Sequence, residues 1–471
     1  MSILKFIFIF LEVLLLFNLL IFVHELGHFL AARWRGLKID RFAIWFGKPI
    51  WKTRINGVEY VLGSIPAGGY VSLPQMATME AIEGKGESSG QPLPNISALD
   101  KIIVAFAGPL FSFLLALAFA VVVMVVGRPV SEAETTTVIG YVEKDSPAEK
   151  VGLRPGDKIL EVDGKPVSKF GGMGDSVTWR IVSSEGETVP IKVQRDGKVL
   201  EFNPTPTRDE TKFWERKSLR QIKIHPAQSA LVAEVAPNSP AAAAGLKPGD
   251  HVLSVNGVPL HHFAAMTEYV EDHPGEKLTL SIERAGKCFD VSLTPEKPVS
   301  PPGEKPRVGI LWDGNGKMTL AHPGAIEQVN ASVNAMLDTF GALFARHTDI
   351  KVQHLGGAVK IMDVYARLFA SEQGWRLALW FSVLMNVNLA LLNMLPIPVL
   401  DGGHIVLAII EGIRRKPISA RIISAIQTGC AVFLIGFMVY IAFYDVQDLP
   451  WRRSKEKPVE VKFAPKVPAK N

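Results

Sequence analysis

The sequence has few cysteines and little net charge. Two cysteines occur among 471 residues, Cys288 and Cys430, so we expect no disulfide framework, and a metal site would need histidine and carboxylate ligands. The net charge of +5 is small for this length and gives no argument for nucleic-acid binding. The chain is 48% hydrophobic with a mean hydropathy of +0.20, yet 21% of its residues are charged. This balance predicts a few membrane spans combined with soluble domains.

Four apolar segments are each long enough to cross a bilayer as a helix. Polar residues concentrate in the first and third segments, which predicts that these two face each other around a site, with the second and fourth as scaffold and lipid contact. The N-terminus resembles a signal peptide, but its apolar run is too long and lacks a small-residue cleavage site, so we expect a retained anchor. The four segments are Phe6 to Ala32, Ile102 to Val126, Leu377 to Leu395 and Ile422 to Phe443.

The first apolar segment contains the run His24-Glu25-Leu26-Gly27-His28. Residues four apart lie on one helix face, so both imidazoles can reach a single zinc ion, and Glu25 is then placed to take a proton from a bound water. Ionisable groups inside a bilayer are costly and are rarely retained without a function. The alternative interpretation is a chance match on a solvated helix face.

The third apolar segment ends in the sequence NMLPIPVLDGGH, residues 393–404. Its prolines cannot continue a regular helix and leave backbone polar groups to be satisfied by protein or water. A carboxylate from Asp401 would complete a His-His-Asp ligand set and leave a fourth position for water. Asn393 could hold a substrate carbonyl or backbone group. His404 remains a rival ligand.

Two strand-like stretches follow the first apolar segment. Val58 to Ile65 has an alternating pattern, and Pro66 to Leu73 contains the adjacent glycines Gly68 and Gly69, which predicts a β-hairpin. The hairpin could be an ordinary surface feature. Alternatively, it could dip beside the metal and pair through its open edge with an extended peptide.

The middle region contains an internal repeat. Residues 146–167 align without a gap on residues 239–260, and about half of the positions are identical, so we expect two copies of one domain. Each copy resembles the PDZ domain in the form found in bacterial envelope proteases. PDZ domains bind peptide ends by adding a strand to a sheet edge. The copies could also act as spacers that bind nothing.

Basic residues predict the membrane topology. They follow the first span and separate the third from the fourth, so both loops are expected in the cytoplasm and the N-terminus, middle region and C-terminus outside. The basic C-terminal tail conflicts with this topology. The residues are Arg33, Arg35, Lys38, Arg41, Lys48, Lys52 and Arg54, then Arg414, Arg415, Lys416 and Arg421, and in the tail Arg452, Arg453, Lys455 and Lys457.

HELGH in the first span, LDGG closing the third and two PDZ copies between them resemble the site-2 protease family of intramembrane zinc metalloproteases. The similarity covers nearly the whole chain and is greatest to the bacterial regulator-of-sigma-E protease branch. The resemblance implies one zinc ion bound by His24, His28 and Asp401, with Glu25 as catalytic acid and base. Trp45 departs from the family, where many relatives carry glycine. The residues that the resemblance implies for substrate binding are Asn393, Pro396, Gly68, Gly69 and Tyr70.

The predicted fold is a polytopic α-helical membrane protein with four transmembrane helices, two inserted PDZ domains (α+β) and a membrane-associated β-hairpin. An amphipathic helix is expected near Ile361 to Phe369, either on the outer leaflet or buried in a soluble domain. The predicted segments are the first transmembrane helix 1–36, the hairpin-containing cytoplasmic loop 37–100, the second transmembrane helix 101–128, PDZ domains 129–210 and 225–297, a periplasmic connecting region 298–374, the third transmembrane segment 375–412, the fourth transmembrane helix 413–446 and the basic tail 447–471.

The expected function is cleavage of peptide bonds within transmembrane segments of single-pass membrane proteins. The resemblance implies substrates of the anti-sigma-factor type after a first cleavage outside the membrane, remnant signal peptides being the alternative. It also implies a bacterial inner-membrane location, with periplasmic PDZ domains that exclude bulky substrates and a catalytic site toward the cytoplasm. Peptide ligands of the PDZ copies and the lipid bilayer are the other expected partners. A competing hypothesis is a non-enzymatic membrane scaffold with a degenerate metal motif, which predicts no stoichiometric zinc.

Overall fold

The computed structural model describes residues 3–76, 96–415, 418–449 and 461–465. The helices are α1 (Ile3–Trp34), α2 (Ala98–Val126), α3 (Pro147–Lys150), α4 (Val177–Ser183), α5 (Pro240–Ala243), α6 (Phe263–Asp272), α7 (Ala325–Phe344), α8 (Ala358–Ala370), α9 (Gly374–Asn393), α10 (Asp401–Arg414) and α11 (Ala420–Gln447). The strands are β1 (Arg41–Phe46), β2 (Trp51–Ile55), β3 (Val58–Leu62), β4 (Ile65–Ser72), β5 (Arg128–Val130), β6 (Ile139–Val142), β7 (Lys158–Val162), β8 (Lys165–Pro166), β9 (Ile191–Arg195), β10 (Lys198–Phe202), β11 (Ile224–Pro226), β12 (Ala230–Val235), β13 (His251–Val255), β14 (Val258–Pro259), β15 (Leu278–Arg284), β16 (Lys287–Leu293), β17 (Ile310–Trp312) and β18 (Thr319–Ala321).

The chain divides into two compact units. Among the described residues, four helices are long and apolar enough to cross a membrane, namely α1, α2, α9 and α11, and they match the four predicted spans. All four belong to the first unit. The basic residues between 452 and 457 lie outside the described residues. The first unit comprises residues 1–128, 322–337 and 355–446, and the second comprises residues 129–321, 338–354 and 447–471.

Small residues bring the helices of the first unit close together. A Cβ placed on Gly27 of α1 would overlap the Ala107 carbonyl oxygen of α2, so only glycine permits this approach. The predicted amphipathic helix is α8, whose Tyr365 is fully buried against α1 and α9 and lies 2.8 Å from Ser382 Oγ through its hydroxyl. Its apolar face therefore packs on the membrane helices of this unit.

The predicted hairpin of β3 and β4 is wrong in its pairing. The sheet order is β2-β3-β1-β4, with β1 parallel to β3 and antiparallel to β4. The connection between β3 and β4 crosses the end of β1 at Gly63, where a Cβ would overlap the Phe46 carbonyl oxygen. Glycine therefore allows the chain to pass over β1, so a two-residue connection joins strands that are not neighbours. Within the described part of this sheet, the hairpin is formed by β2 and β3.

Trp45 occupies a backbone position that favours glycine. Its φ is +70° at a bulge in β1, a left-handed conformation that is strained for a bulky side chain. The indole N–H donates a hydrogen bond to Asn18 Oδ1 of α1. The tryptophan thus fixes the sheet to the first helix where a glycine could make no side-chain contact.

The second unit contains the internal repeat as two similar modules. One sheet has the order β10-β9-β7-β8 and the other β16-β15-β13-β12-β17. The two modules also share an ion pair between a buried aspartate and an arginine. Asp157 and Asp250 are each at most 1% exposed, and each accepts two hydrogen bonds from an arginine. Arg195 and Arg284 also donate to the carbonyls of Gly152 and Gly245, respectively. Each arginine therefore ties a strand to the turn that precedes β7 or β13.

His262 is a buried histidine that acts as a helix cap. Its Nδ1 accepts a hydrogen bond from the Ala264 N–H at 3.1 Å, at the start of α6. The ring stacks on Phe263 and Tyr141 and lies 5.4 Å from the ring of His225. Burial, together with the charge of a protonated His225, lowers the pKa of His262 to about 4. The folded module therefore holds this side chain neutral.

The second module should lose stability in mild acid. Between pH 6.5 and about 4 the unfolded chain takes up a proton on His262 that the folded chain does not, so stability falls as the pH is lowered. We expect a loss of about 1–2 kcal/mol, allowing for partial solvent screening. Hydrogen exchange of the α6 amides at pH 4 and 7, corrected for intrinsic exchange rates, measures this loss of stability. His262→Asn keeps a capping acceptor without titrating, so an equal acid loss in this variant would refute the assignment.

Candidate metal centre

Three side chains that could hold a metal ion converge inside the first unit. His24 and His28 lie one turn apart on α1, and Asp401 is the first residue of α10. Their ligand atoms all lie within 4.8 Å of one another, and all three residues are buried. The two Nε2 atoms are 3.3 Å apart, and each lies 3.3 Å from one carboxylate oxygen of Asp401. The structure thus brings together the three residues that the sequence proposed as ligands.

The outer nitrogens of both histidines are held by α2. His28 Nδ1 donates to the Val104 carbonyl oxygen at 2.8 Å, which leaves its Nε2 with a free lone pair. His24 Nδ1 lies 3.0 Å from Ser112 Oγ. Such partners are the usual means by which proteins orient metal-binding imidazoles. Among the described residues the buried Asp401 Oδ2 receives no hydrogen bond and faces His24 Nε2 at 3.3 Å, so a carboxylate oxygen is left for a cation. The donor set fits a zinc ion.

Gly108 provides the space between the histidines. A Cβ on this residue of α2 would overlap His28 Nε2 and lie 2.9 Å from His24 Nε2, the two atoms that face the proposed ion. Pro109 follows it inside the helix and cannot donate a backbone hydrogen bond. The second span therefore also contributes to the site, in addition to the scaffold and lipid contact that the sequence predicted.

Asp401 is positioned by a break between two helices. α9 ends at Asn393 and α10 begins at Asp401, and the intervening backbone folds tightly against the start of α10. Cβ atoms on Gly402 and Gly403 would overlap the carbonyl oxygens of Met394 and Ile397. Gln427 Nε2 of α11 donates to the Pro398 carbonyl oxygen at 3.2 Å. Protein groups thus satisfy part of the backbone that the prolines leave without helical hydrogen bonds.

Strand β4 lies beside Glu25. A Cβ on Gly69 would lie 3.1 Å from Glu25 Cγ, so the strand passes directly over the proposed acid–base residue. Gly68 and Tyr70 contact Phe46 instead. A Cβ on Gly68 would overlap the Phe46 ring, and Tyr70 stacks on that ring at a centroid distance of 6.1 Å. Among the described contacts, Gly69 is the one of these three predicted residues that lies against Glu25, whereas Gly68 and Tyr70 lie against Phe46.

The remaining predicted residues differ in their distance from the cluster. Asn393 Nδ2 lies 3.3 Å from His24 Nε2, at the edge of the site. Pro396 is exposed in the break between α9 and α10 and has no contact with the cluster among those that the structure describes. His404 is buried on α10, but the metal-type cluster found among the described residues does not include it. Asn386, a further polar residue of α9 that the sequence did not assign to the site, donates to the Ser382 carbonyl of its own helix.

Sequence reasoning missed the contributions of α2. Gly108 and Ser112 are four residues apart on one helix face, and the run Ala107-Gly108-Pro109 interrupts an otherwise apolar span. Small and polar residues at that spacing typically mark a helix interface rather than lipid contact. That signal was available in the sequence.

A His-His-Asp cluster with an adjacent glutamate, enclosed by apolar helices, defines an intramembrane zinc metalloprotease. The chain belongs to Peptidase family M50, whose model matches residues 12–437. A putative zinc metalloprotease of Neisseria meningitidis serogroup A is 31% identical over 452 residues, covering 91% of this chain and 96% of the relative. The regulator of sigma-E protease RseP of Escherichia coli K12 is 30% identical over 450 residues, covering 92% and 97%. A PDZ domain of the SdrC-like protein of Listeria monocytogenes covers 19% of this chain and 93% of its own length, with 18% identity and a TM-score of 0.17.

Proposed function

We propose that this protease cleaves peptide bonds within the transmembrane segments of single-pass membrane proteins. The observation that carries the proposal is the position of the cluster, because the ligand atoms of His24, His28 and Asp401 converge among helices that are apolar enough to span a bilayer. A metal site that lies among membrane-spanning helices can reach a peptide bond that itself lies within the membrane.

His24, His28 and Asp401 would hold one zinc ion. When bound, the ion would polarise the scissile carbonyl and acidify a water molecule. Glu25 takes the proton from the attacking water and returns it to the leaving amide nitrogen. The Asn393 side-chain amide, at the edge of the cluster, donates a hydrogen bond to a substrate carbonyl.

Strand β4 would present the substrate to the metal centre. This strand is at one end of the sheet order β2-β3-β1-β4, so among the described residues its second edge has no strand beside it, and Gly69 brings it against Glu25. A transmembrane helix hides its backbone carbonyls in internal hydrogen bonds and must unwind before attack. We infer that the unwound segment pairs with β4, which replaces the lost backbone hydrogen bonds. Gly68, Tyr70 and Pro396 would shape this path rather than contact the reacting atoms.

The named relatives support a proposal for the class of physiological substrate. A regulator of sigma-E protease is among them, so we propose anti-sigma-factor-type proteins, trimmed outside the membrane by a first protease, with remnant signal peptides as the second class. The two modules, which we interpret as PDZ domains, would face the periplasm and exclude bulky ectodomains. The chain would lie in a bacterial inner membrane with its site toward the cytoplasm.

Reconstitution with a single-span substrate tests this function. In lipid vesicles containing the purified chain, a substrate with a trimmed ectodomain should be cut within its span, as located by mass spectrometry of the fragments. Chelation should stop cleavage and added zinc should restore it. The same substrate with a folded ectodomain should be cut at least about tenfold more slowly, a difference of 1.4 kcal/mol in the barrier. Cleavage confined to positions outside the span, or unaffected by chelation, would contradict the proposal.

A further inference from the structure

The second module carries an open groove. Strand β17 is the end strand of the sheet β16-β15-β13-β12-β17, and among the described residues it pairs only with β12. Helix α6 faces it across a cavity of about 860 Å³. We call this cavity the β17–α6 groove. Met266 and Val270 of α6 are buried along it, whereas Leu311 of β17 is 59% exposed. An open strand edge beside an apolar helix face is the geometry that accepts an extended peptide.

The lining of the β17–α6 groove includes Val461, Lys462 and Phe463 of the chain's own C-terminal segment, Val461–Pro465. Phe463 is only 5% exposed although its neighbours on both sides are exposed. Its Cε2 atom would lie 3.0 Å from a Cβ on Gly309, the residue that precedes β17 and has a φ of +81°. The phenyl ring therefore rests on bare glycine backbone at the start of the edge strand.

Backbone hydrogen bonds fix this segment in register. The Lys462 N–H donates to the Ser300 carbonyl at 3.0 Å, and the Lys462 carbonyl accepts from the Val299 N–H at 2.8 Å. Lys462 and Ser300 form an antiparallel bridge. One buried aromatic side chain combined with main-chain pairing is the pattern of a bound peptide, because the pairing supplies affinity and the pocket supplies specificity.

We propose that Val461–Pro465 is an internal peptide ligand of the second module. Phe463 fills one end of the β17–α6 groove and competes there with any other extended apolar peptide. The proposal does not depend on proteolysis, because every residue that carries it lies outside the metal centre.

Competition with a free peptide tests the proposal. The probe is a fluorescent synthetic peptide of residues 459–467, titrated by anisotropy into the detergent-solubilised chain ending at residue 458 and into the full chain. We expect the full chain to bind at least tenfold more weakly, because its groove end is filled. A peptide with Phe463→Ala should bind the shortened chain at least tenfold more weakly than the parent, and one with Ala464→Ser should match the parent. Equal affinity of the two chains, no binding to the shortened chain or no effect of Phe463→Ala would overturn the proposal.

A cross-link in the full chain provides a test that needs no truncation. Directly paired antiparallel residues have Cα atoms about 5.5 Å apart, within the range of a disulfide. In a chain with Cys288→Ser and Cys430→Ser, the pair Ser300→Cys and Lys462→Cys should oxidise at least fivefold more than the control pair Ser300→Cys and Pro465→Cys. Free peptide 459–467 in excess should lower the yield. Equal yields for the two pairs, or a yield that the peptide does not change, would overturn the proposal.

Discussion

Glu25→Gln is expected to abolish cleavage while one zinc ion per chain is retained. Glutamine preserves the size of the side chain beneath Gly69 but cannot take a proton from water. General acid–base catalysis typically contributes about 10²–10⁴-fold, so we expect a loss of at least about 10³-fold in kcat/KM, since one carboxylate serves both proton transfers. The metal should remain because Glu25 does not belong to the cluster of ligand atoms among the described residues.

Cleavage rates and zinc content should be measured on the same preparation. Glu12→Gln is a matched control, because Glu12 is an acid on the same helix, three turns from the cluster. That variant should cleave at the parent rate. Residual cleavage by Glu25→Gln within tenfold of the parent would place the base on another residue. Loss of zinc from it would make Glu25 a ligand rather than a base.

Gly108→Ala is expected to lower both zinc affinity and cleavage activity, although Gly108 is not itself a metal ligand. The added methyl group would overlap His28 Nε2 and lie 2.9 Å from His24 Nε2, and real Cβ contacts essentially never fall below 3.0 Å. The histidines can yield only by breaking the bonds of their outer nitrogens to Val104 and Ser112. Disrupting such orienting partners typically costs 10–100-fold in metal affinity. With both ligands displaced, we expect a loss of at least about 100-fold, with activity lost in parallel.

Competition for zinc with a chelator of known affinity measures this loss. Gly429→Ala is the control, because it adds the same methyl group to the membrane helix α11 where nothing lies within 4 Å. Thermal unfolding in detergent should be compared for both variants, so that loss of metal is separated from loss of fold. Unchanged zinc affinity in a folded Gly108→Ala chain would show that α2 does not shape the site.

The sequence predicted well what local chemistry determines. Membrane spans are fixed by apolar length, so the observed helices α1, α2, α9 and α11 begin and end within a few residues of the predicted segments. The His24–His28 spacing is fixed by the helical repeat, and the proline break before Asp401 marks where a helix must stop. These features depend on neighbouring residues only.

Features that depend on distant contacts were not predicted. The strand β1 lies between β3 and β4 because Gly63 lets the chain cross it, and no local pattern distinguishes that crossing from a tight hairpin turn. The spacing of Gly108 and Ser112 marks a helix interface, but which side chains Gly108 contacts depends on the helix that packs against α2. The pairing of Lys462 with Ser300 joins residues more than 160 positions apart. In each case the structural role of the residue is determined by the partner that it contacts, and the local sequence does not specify that partner.

The bridge between Ser300 and Lys462 also limits how many times the chain between these two residues can cross a membrane. Two hydrogen-bonded strands must lie on the same side of a bilayer, so the chain between them crosses an even number of times. α9 and α11 account for two crossings. α10 has 14 residues and a length of ~21 Å at 1.5 Å per residue, short of the ~30 Å hydrocarbon core, so it adds none. The C-terminal segment therefore lies on the same side of the membrane as Ser300, despite the basic residues that precede it in the sequence.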